Sequence, residues 1–296
     1  MKILVAGLVK SSQFERLKEE GEKRGHVVDG CYSHDLVISA SVDGFKPTLV
    51  SSDLSSYNLI YMIVGKKRWE WYTAGLYLKE KYGTIIVNQK YVDPTYNLYY
   101  TPAIDYLNQV KNNLPFPASV VFFSPDKIDS FLSKFSFPLI VKGSGGRKGR
   151  GVFLVNERKG IIKALSELPQ ESSFVVREFI PNDGDIRIFT VGYKAIGAMK
   201  RVPAEGEFRS NISQGGHGEP FDLRENPEIR DIAEKASRVM QVEVAGVDII
   251  IHKNTGRPYI LEINPAPQFE GLEKYTGVNA AEEIVKYFEE LYNTHK

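Results

Sequence analysis

Hydrophobic and polar residues alternate in short blocks along the N-terminal part of the chain. Three apolar blocks have the length of buried strands: residues 3–6, 59–64 and 84–87. Polar blocks at 12–24 and 69–81 have helical character, and each ends before a glycine, which is a common helix stop. Strands that alternate with helices are typical of βα units on a parallel sheet. The pattern therefore predicts a Rossmann-like N-terminal domain over residues 1–92.

A cluster of prolines between residues 93 and 117 marks a change of region. Beyond it, the apolar spacing predicts a helix at 124–135, strands at 138–142 and 152–155, and a helix ending near Leu168. The block 174–180 begins a region with longer strands, a helix starting at Asn226, an antiparallel hairpin of 244–252 with 258–264, and a last helix at 279–292. The predicted fold class is α/β, with an N-terminal domain (1–92), a central lobe (93–173) and a C-terminal lobe (174–296).

The composition narrows the classes of partner. The 296-residue chain has 38 Lys and Arg against 37 Asp and Glu, a formal net charge of +1, which argues against nucleic acid. Its longest apolar runs are shorter than the ~20 residues of a membrane-spanning helix, so we expect no membrane partner. The single cysteine, Cys31, excludes an internal disulfide framework and a multi-cysteine zinc site. With no signal-peptide pattern at the start, the chain is expected to be cytoplasmic.

Several common motifs are missing from the sequence. No G-x-G-x-x-G follows the first apolar block, where Gly7 precedes Leu8, Val9 and Lys10, and no P-loop pattern occurs. The five histidines show no H-E-x-x-H spacing, which leaves zinc-protease chemistry without support. A bound nucleotide would have to be held in another way.

A glycine-rich, basic segment lies between the predicted strands at 138–142 and 152–155. Residues 142–151 read Lys-Gly-Ser-Gly-Gly-Arg-Lys-Gly-Arg-Gly. Glycines let backbone N–H groups approach phosphate oxygens closely, and the cations neutralise phosphate charge. The alternative is a solvated basic hairpin without a ligand.

Three oxygen-bearing side chains lie on the predicted C-terminal hairpin. Glu262 and Asn264 are two residues apart and share a strand face, and Asp248 lies on the strand that we pair with theirs. Carboxylate and amide oxygens suit a hard cation such as Mg²⁺. Asp248 and Glu262 are embedded in apolar runs, where a carboxylate is rarely buried without a partner. Ordinary polar positions at strand ends are the alternative.

A series of cations precedes this hairpin: Arg187, Lys200, Arg201 and Arg209. Arginine matches carboxylate and phosphate geometry in bidentate fashion. Surface salt bridges are the alternative for each arginine taken alone.

Five segments in chain order resemble the ATP-grasp superfamily, and most closely its RimK-type carboxylate–amine ligases. They are KGSGGRKGRGV (142–152), REFIPNDGDIR (177–187), AMKRVPAEGEFRSNISQGG (198–216), VAGVDIII (244–251) and LEINPAPQFEGLEKYTGVN (261–279). The resemblance covers about residues 90 to 296. It implies an ATP-grasp fold in which two α+β lobes hold ATP, preceded by the Rossmann-like domain.

The resemblance also implies residue roles. ATP-binding positions are Lys142, Gly145, Gly146, Arg147, Gly149, Gly151, Glu178, Phe179, Ile180, Asp185, Arg209 and Asn211. The metal positions are Asp248, Glu262 and Asn264, for Mg²⁺ with Mn²⁺ as an alternative. We assign catalytic roles to Arg187, Arg201 and Arg209, with the first two holding a substrate carboxylate.

The implied reaction phosphorylates a carboxylate and lets an amine attack the acyl phosphate. The expected substrates are a small-molecule acid and amine, with an amino acid such as glutamate added to a peptide, carrier protein or cofactor, and a homo-oligomer is left open. The chain departs from the family pattern at 93–99, which lacks a lysine, and at 264–268, where Asn-Pro-Ala-Pro-Gln replaces Asn-x-Ser-Pro-Gly. Two rivals remain: a phosphotransferase on the same fold and a non-catalytic ATP-binding module.

Overall fold

Four sheets organise the part of the chain that the structure describes. The structure is a computed structural model, and it describes residues 1–42, 44–50, 52–64, 69–93, 101–143, 151–169, 173–204 and 217–295. Within these ranges, no helix is long and apolar enough to cross a membrane.

The N-terminal domain is built on a parallel sheet. Its elements are β1 (Lys2–Ala6), α1 (Ser12–Lys23), β2 (Val27–Cys31), β3 (Leu36–Ser41), β4 (Gly44–Leu49), β5 (Ser52–Asp53), β6 (Leu59–Met62), α2 (Trp69–Tyr82) and β7 (Ile85–Val87). The sheet order β2-β1-β6-β7, parallel throughout, confirms the three predicted strands. Ser11 is the N-cap of α1, and its hydroxyl accepts a hydrogen bond from the Phe14 N–H at 3.2 Å.

A second, antiparallel sheet of β3, β4 and β5 was not predicted. Its strands are short and largely exposed, so they lack the apolar alternation by which half-buried strands are recognised. The side chain of Val37, for example, is about half exposed.

The central lobe contains an antiparallel sheet. Its elements are α3 (Pro102–Lys111), β8 (Ser119–Phe122), β9 (Leu139–Gly143), β10 (Val152–Val155), α4 (Arg158–Ser166) and β11 (Phe174–Glu178). The sheet order is β10-β9-β11-β8. The strand at 174–178, which the sequence placed in the C-terminal lobe, therefore pairs with β8 and β9 in the central sheet. An apolar run predicts a strand but does not identify its partner, and the three-domain division stays a prediction.

The prediction of one helix over residues 124–135 is wrong. The chain instead forms two short 3-10 segments, Pro125–Ser130 and Leu132–Lys134. Ile128 and Phe131 are still buried. Their spacing of three residues also fits a 3-10 helix, in which side chains three apart lie above one another.

The C-terminal lobe contains a second antiparallel sheet. Its elements are β12 (Asp185–Val191), β13 (Lys194–Val202), β14 (His217–Pro220), α5 (Pro227–Val239), β15 (Val244–Ile251), β16 (Pro258–Asn264), α6 (Glu270–Thr276) and α7 (Ala280–Thr294). The order β14-β13-β12-β15-β16 confirms the hairpin of β15 with β16. Helix α5 buries Ile229, Ala233 and Ala236 against one face of this sheet, which leaves the opposite face for other contacts.

The N-terminal domain and the C-terminal lobe share one core. Helix α7 returns to the parallel sheet, where the Phe288 ring lies 5.5 Å from that of Tyr61. The buried Asn88 joins the same regions, because it accepts from the Val244 N–H at 2.8 Å and donates to the Pro265 carbonyl at 2.9 Å. The central lobe has a core of its own around β9 and α4.

Candidate active site

Three neighbouring strands of the C-terminal sheet bring two arginines and two aspartates together. Arg187 on β12 lies opposite Asp248 on β15, and Asp185 on β12 lies opposite Arg201 on β13. Asp185 and Arg187 are two residues apart, so they share a face of the sheet. We call these four residues the Arg–Asp cluster.

The contacts within the Arg–Asp cluster are bidentate. Arg187 donates from Nε to Oδ1 of Asp248 at 2.6 Å and from Nη2 to Oδ2 at 2.7 Å. Arg201 lies 2.8 Å from the same Oδ2 and also binds both carboxylate oxygens of Asp185. Arg201 therefore links the two carboxylates.

These contacts set the charge of the cluster. Burial would raise the pKa of Asp248, but the charges and hydrogen bonds of Arg187 and Arg201 outweigh it and hold that pKa below its usual range. Burial and the nearby charge of Asp248 raise the pKa of Asp185, against the opposing charge of Arg201. Burial would lower the pKa of Arg201, but the two carboxylates raise it. Asp248 is therefore ionised at neutral pH.

Glu262 and Asn264 lie beside this cluster in the expected register. Glu262 is directly opposite Asp248, and Asn264 is opposite Gly246, so the three predicted metal ligands share one sheet face. We call them the oxygen set. Glu262 is exposed, whereas Asn264 is half-buried and accepts from the Ala266 N–H at 2.9 Å.

The oxygens of the oxygen set are already partly engaged, because Arg187 and Arg201 bind both carboxylate oxygens of Asp248 and the Ala266 N–H donates to Asn264. Nowhere in the described ranges do three His, Cys, Asp or Glu side chains gather into a metal cage. Two carboxylates and an amide form a partial set, and Mg²⁺ usually takes one or two carboxylates together with substrate phosphates and water.

The turn after β16 lies next to the Arg–Asp cluster. A Cβ atom built on Gly246 would be 2.9 Å from Cβ of Pro267 and 3.4 Å from Cδ of Arg187. Glycine at this position therefore lets the turn pack over β15 beside Arg187. The turn at 264–268, which departs from the family pattern, thus borders Arg187, which is predicted to hold a substrate carboxylate.

The central sheet approaches the oxygen set through Arg177. Arg177 on β11 lies opposite Ile140 on β9, and Lys142 is two residues further along β9, so Lys142 and Arg177 share a face. Nη1 of Arg177 donates to the Leu261 carbonyl on β16 at 3.4 Å. The face of the central sheet that carries Lys142 is therefore the face that contacts β16.

The predicted ATP-binding residues Glu178, Phe179 and Ile180 connect the central and C-terminal sheets. The Glu178 N–H donates to the Ala118 carbonyl at 3.0 Å, and its carboxylate accepts from the Ala118 N–H at 3.0 Å. Phe179 is half-buried and Ile180 is buried. Gly184 has a φ of 106°, and a Cβ there would collide with the Arg201 carbonyl oxygen, so glycine is needed where the chain enters β12.

The remaining predicted positions fall outside the described ranges, except for one glycine. Gly151 is described and has a φ of 73° just before β10. The others are Gly145, Gly146, Arg147, Gly149, Arg209 and Asn211.

Comparison with known proteins identifies the family. Residues 104–288 match the model of the RimK-like ATP-grasp domain. The chain belongs to the RimK-like ATP-grasp family. The ligase is 32% identical over 293 residues to a probable alpha-L-glutamate ligase of Thioalkalivibrio sulfidiphilus (strain HL-EbGR7), covering 95% of this chain and 92% of that protein. It is 35% identical over 295 residues to a protein of the same name from Marinomonas sp. (strain MWYL1), covering 93% and 90% of the two chains.

Solved structures share the fold across the whole chain. ATP-grasp ligase PsnB, complexed with precursor peptide PsnA2 and AMPPNP, has a TM-score of 0.72 at 16% identity and covers 98% of both chains. A RimK domain protein from Sphaerobacter thermophilus DSM 20745 has a TM-score of 0.70 at 15% identity, covering 97% of this chain and 99% of that one. The resemblance inferred from the five segments is confirmed, and the chain is an ATP-grasp ligase that forms carbon–nitrogen bonds. The ATP-grasp fold implies ATP and a divalent metal ion.

Two charged residues were missed in the sequence. Arg177 lies in the run Phe-Val-Val-Arg-Glu-Phe-Ile and contacts β16 beside the site. Glu243 immediately precedes β15 and lies away from the site, where the N-terminal domain meets the C-terminal lobe. A charge inside an apolar run is the signal that singled out Asp248, and the same signal would have found Arg177. Glu243 gave a weaker signal, because it precedes the apolar run 244–251 and the polar Gln241 lies only two residues before it.

Proposed function

We propose that this ligase adds L-glutamate, through an amide bond, to an acceptor that carries a carboxylate. A peptide or protein is the acceptor class that we favour. Relatives that align over nearly the whole chain are named as glutamate ligases, and a structural neighbour is complexed with a precursor peptide. The observation that carries the proposal is the common face of the oxygen set, next to two arginines.

The reaction has two steps in this proposal. An oxygen of the acceptor carboxylate attacks the γ-phosphorus of ATP, and the bond to the leaving ADP breaks. The glutamate amine then attacks the carbonyl carbon of the acyl phosphate. Inorganic phosphate leaves, and the nitrogen loses a proton to water. Charge neutralisation and positioning are the main demands of phosphoryl transfer.

The cationic residues of the two lobes meet those demands. Lys142 neutralises charge on the nucleotide phosphates from the central sheet. The guanidinium groups of Arg187 and Arg201 carry more N–H donors than their pairing with Asp248 and Asp185 uses, and the remaining donors hold the substrate carboxylate. The pairing also fixes both arginines, which reduces the ordering cost when a ligand binds.

The oxygen set would hold Mg²⁺, with Mn²⁺ as the alternative ion. A bound divalent ion supplies charge neutralisation at the phosphates. Asp248 is buried and Glu262 is exposed, so one ligand is fixed by the Arg–Asp cluster while the other faces the incoming nucleotide. The family resemblance gives the role of covering the phosphates and excluding water to glycine-rich residues 143–151, of which 144–150 lie outside the described ranges.

A hydroxylamine trap tests the proposed reaction. With ATP, Mg²⁺ and the acceptor acid, hydroxylamine should replace the amine and yield a hydroxamate. With L-glutamate and a panel of peptides that end in acidic residues, mass spectrometry should show the gain of one or more glutamate residues. A phosphorylated product without hydroxamate would establish the phosphotransferase instead, and bound but unconsumed ATP would establish the non-catalytic module.

Two substitutions connect this assay to the site. Lys142→Ala and Glu262→Ala should each reduce hydroxamate formation by at least about 1,000-fold, because each removes charge stabilisation of the transferring phosphoryl group. The far-ultraviolet circular dichroism spectrum should not change. Exposed residues of the same types, changed in Lys127→Ala and Glu225→Ala, serve as controls and should keep normal rates. Near-normal rates in Glu262→Ala would remove that residue from the site.

A further inference from the structure

Arg177 contacts β16 at an irregular point of its ladder. The pairing of β15 with β16 passes from Asp248 opposite Glu262 to Ile249 opposite Ile260. Leu261 therefore has no partner in this ladder, both strands of which the structure describes in full. Such a β-bulge leaves one residue unpaired and re-aims the neighbouring side chain.

The unpaired residue is the one that Arg177 binds. Nη1 of Arg177 donates to the carbonyl of Leu261 at 3.4 Å. The next residue along β16 is Glu262, a member of the oxygen set. A hydrogen bond to the carbonyl of the bulge residue restrains the peptide group that leads into Glu262, and so restrains the direction in which the Glu262 side chain leaves the strand.

The surroundings of Arg177 favour this role over a surface ion pair. Its Nε is buried and has no hydrogen-bond partner among the described residues. The ionisable groups that act on its charge are Tyr106, Glu262 and Glu178. The Glu178 carboxylate is already bound to the Ala118 N–H, which leaves Glu262 as the carboxylate beside the bulge that Arg177 contacts. Arg177 is half-buried, and a buried polar atom without a partner is costly for stability, which favours a role for this arginine in the site.

We propose that Arg177 is a positioning residue for the metal site. It holds the Leu261 carbonyl from the opposite lobe and thereby keeps Glu262 aligned with Asp248 for the divalent ion. The inference rests on the proposed function, in which Glu262 is a metal ligand. It also means that the central lobe, which carries Lys142, helps to shape the metal site in the C-terminal lobe.

Metal binding, measured apart from catalysis, tests this inference. Mn²⁺ is titrated into the ligase in the presence of ADP, and the free Mn²⁺ signal is followed by electron paramagnetic resonance. In Arg177→Met, which keeps the apolar stem but no donor, Mn²⁺ affinity should fall by about 10- to 100-fold, the usual cost of losing a group that orients a metal ligand. Arg177→Lys retains a donor and a positive charge, so it should recover part of the affinity.

Matched variants separate the possible failures. Arg158→Met changes an exposed arginine of the same lobe, paired with Asp129 at 2.7 Å, and should leave Mn²⁺ affinity unchanged. If Glu262→Gln weakens Mn²⁺ binding but Arg177→Met does not, the inference is wrong and the proposed metal site stands. If neither variant changes the affinity, the proposed metal site is wrong. Should Arg177→Met fail to fold, Arg177→Gln replaces it, and wild-type affinity in that variant would also overturn the inference.

Discussion

Two buried carboxylates, one within β15 and one immediately before it, have opposite surroundings. Asp248, within the strand, is 5% exposed and is bound by two arginines. Glu243, immediately before the strand, is fully buried and accepts one hydrogen bond, from the Gln89 N–H at 2.8 Å. Its other oxygen has no partner among the residues that the structure describes.

The difference shows that partners, rather than burial, decide whether a buried carboxylate is charged. Arginine pairing keeps the pKa of Asp248 below its usual range despite burial. Burial raises the pKa of Glu243 to about 7, because the backbone N–H groups of Gln89 and of Glu243 itself offset only part of the desolvation. Asp248 belongs to the candidate site, whereas Glu243 lies where the N-terminal domain meets the C-terminal lobe.

The largest expected effect comes from removing the carboxylate of Asp248. Asp248→Ala removes the carboxylate that Arg187 and Arg201 share and leaves Asp185 to compensate both charges. We expect the free energy of unfolding in urea to fall by about 3–5 kcal/mol, as for other buried pairs that lose one partner. Hydroxamate formation should also be lost.

A partly exposed aspartate, Asp222, provides the control for Asp248→Ala. Asp222 pairs with Arg224, whose side chain is 90% exposed. Asp222→Ala should change the free energy of unfolding by less than about 1 kcal/mol. Equal effects of the two substitutions would show that the Arg–Asp cluster contributes no more than a surface pair.

A substitution at Glu243 should change the free energy of unfolding by a smaller amount and in the opposite direction. The pKa of Glu243 is about 7 in the folded chain, against an ordinary value of 4.5. The folded chain therefore binds the proton of the Glu243 carboxyl more tightly than the unfolded chain does. The stabilisation that this proton provides is complete below about pH 4.5 and is lost as pH rises through about 7. Glu243→Gln should raise the free energy of unfolding by up to about 3 kcal/mol near pH 8.5 and change it little near pH 5.

Urea denaturation of Glu243→Gln and of the unchanged chain at both pH values measures this difference. An equal offset at the two pH values would mean that Glu243 does not titrate as its surroundings indicate.

The smallest of the three effects concerns Asn88, which binds Val244 next to Glu243. Asn88→Ala removes the two hydrogen bonds that Asn88 makes with Val244 and Pro265, and should lower the free energy of unfolding by about 2 kcal/mol. The exposed Asn254 provides the control in Asn254→Ala, which should leave the free energy of unfolding nearly unchanged. Equal effects of the two substitutions in urea denaturation would show that the hydrogen bonds of Asn88 do not stabilise the fold.

The sequence predicted the parts of the site that depend on local pattern. Period-two spacing placed Glu262 and Asn264 on one face, and the turn between two apolar runs placed Asp248 on the partner strand. The Arg–Asp cluster could not be predicted in the same way. It exists because β12 lies between β13 and β15, and sheet order depends on tertiary packing rather than on the pattern of any one strand.

The contacts of the two arginines and the membership of the central sheet also depend on sheet order, which the sequence pattern does not predict. Arg187 and Arg201 were predicted to hold a substrate carboxylate, and the structure adds their contacts with Asp248 and Asp185. The placement of the strand at 174–178 depended on a pairing that only the fold provides. Predictions from spacing were therefore accurate within a strand and a hairpin, and weaker between distant strands.

The fate of the acceptor's oxygen tests the central claim most directly. The acid that supports hydroxamate formation is prepared with heavy oxygen in its carboxylate and incubated with ATP, Mg²⁺ and the amine. If the carboxylate attacks the γ-phosphorus, the phosphate released should carry one labelled oxygen from the acid, as measured by mass spectrometry. Unlabelled phosphate, formed together with the amide product, would contradict the acyl-phosphate reaction and the roles assigned to the site.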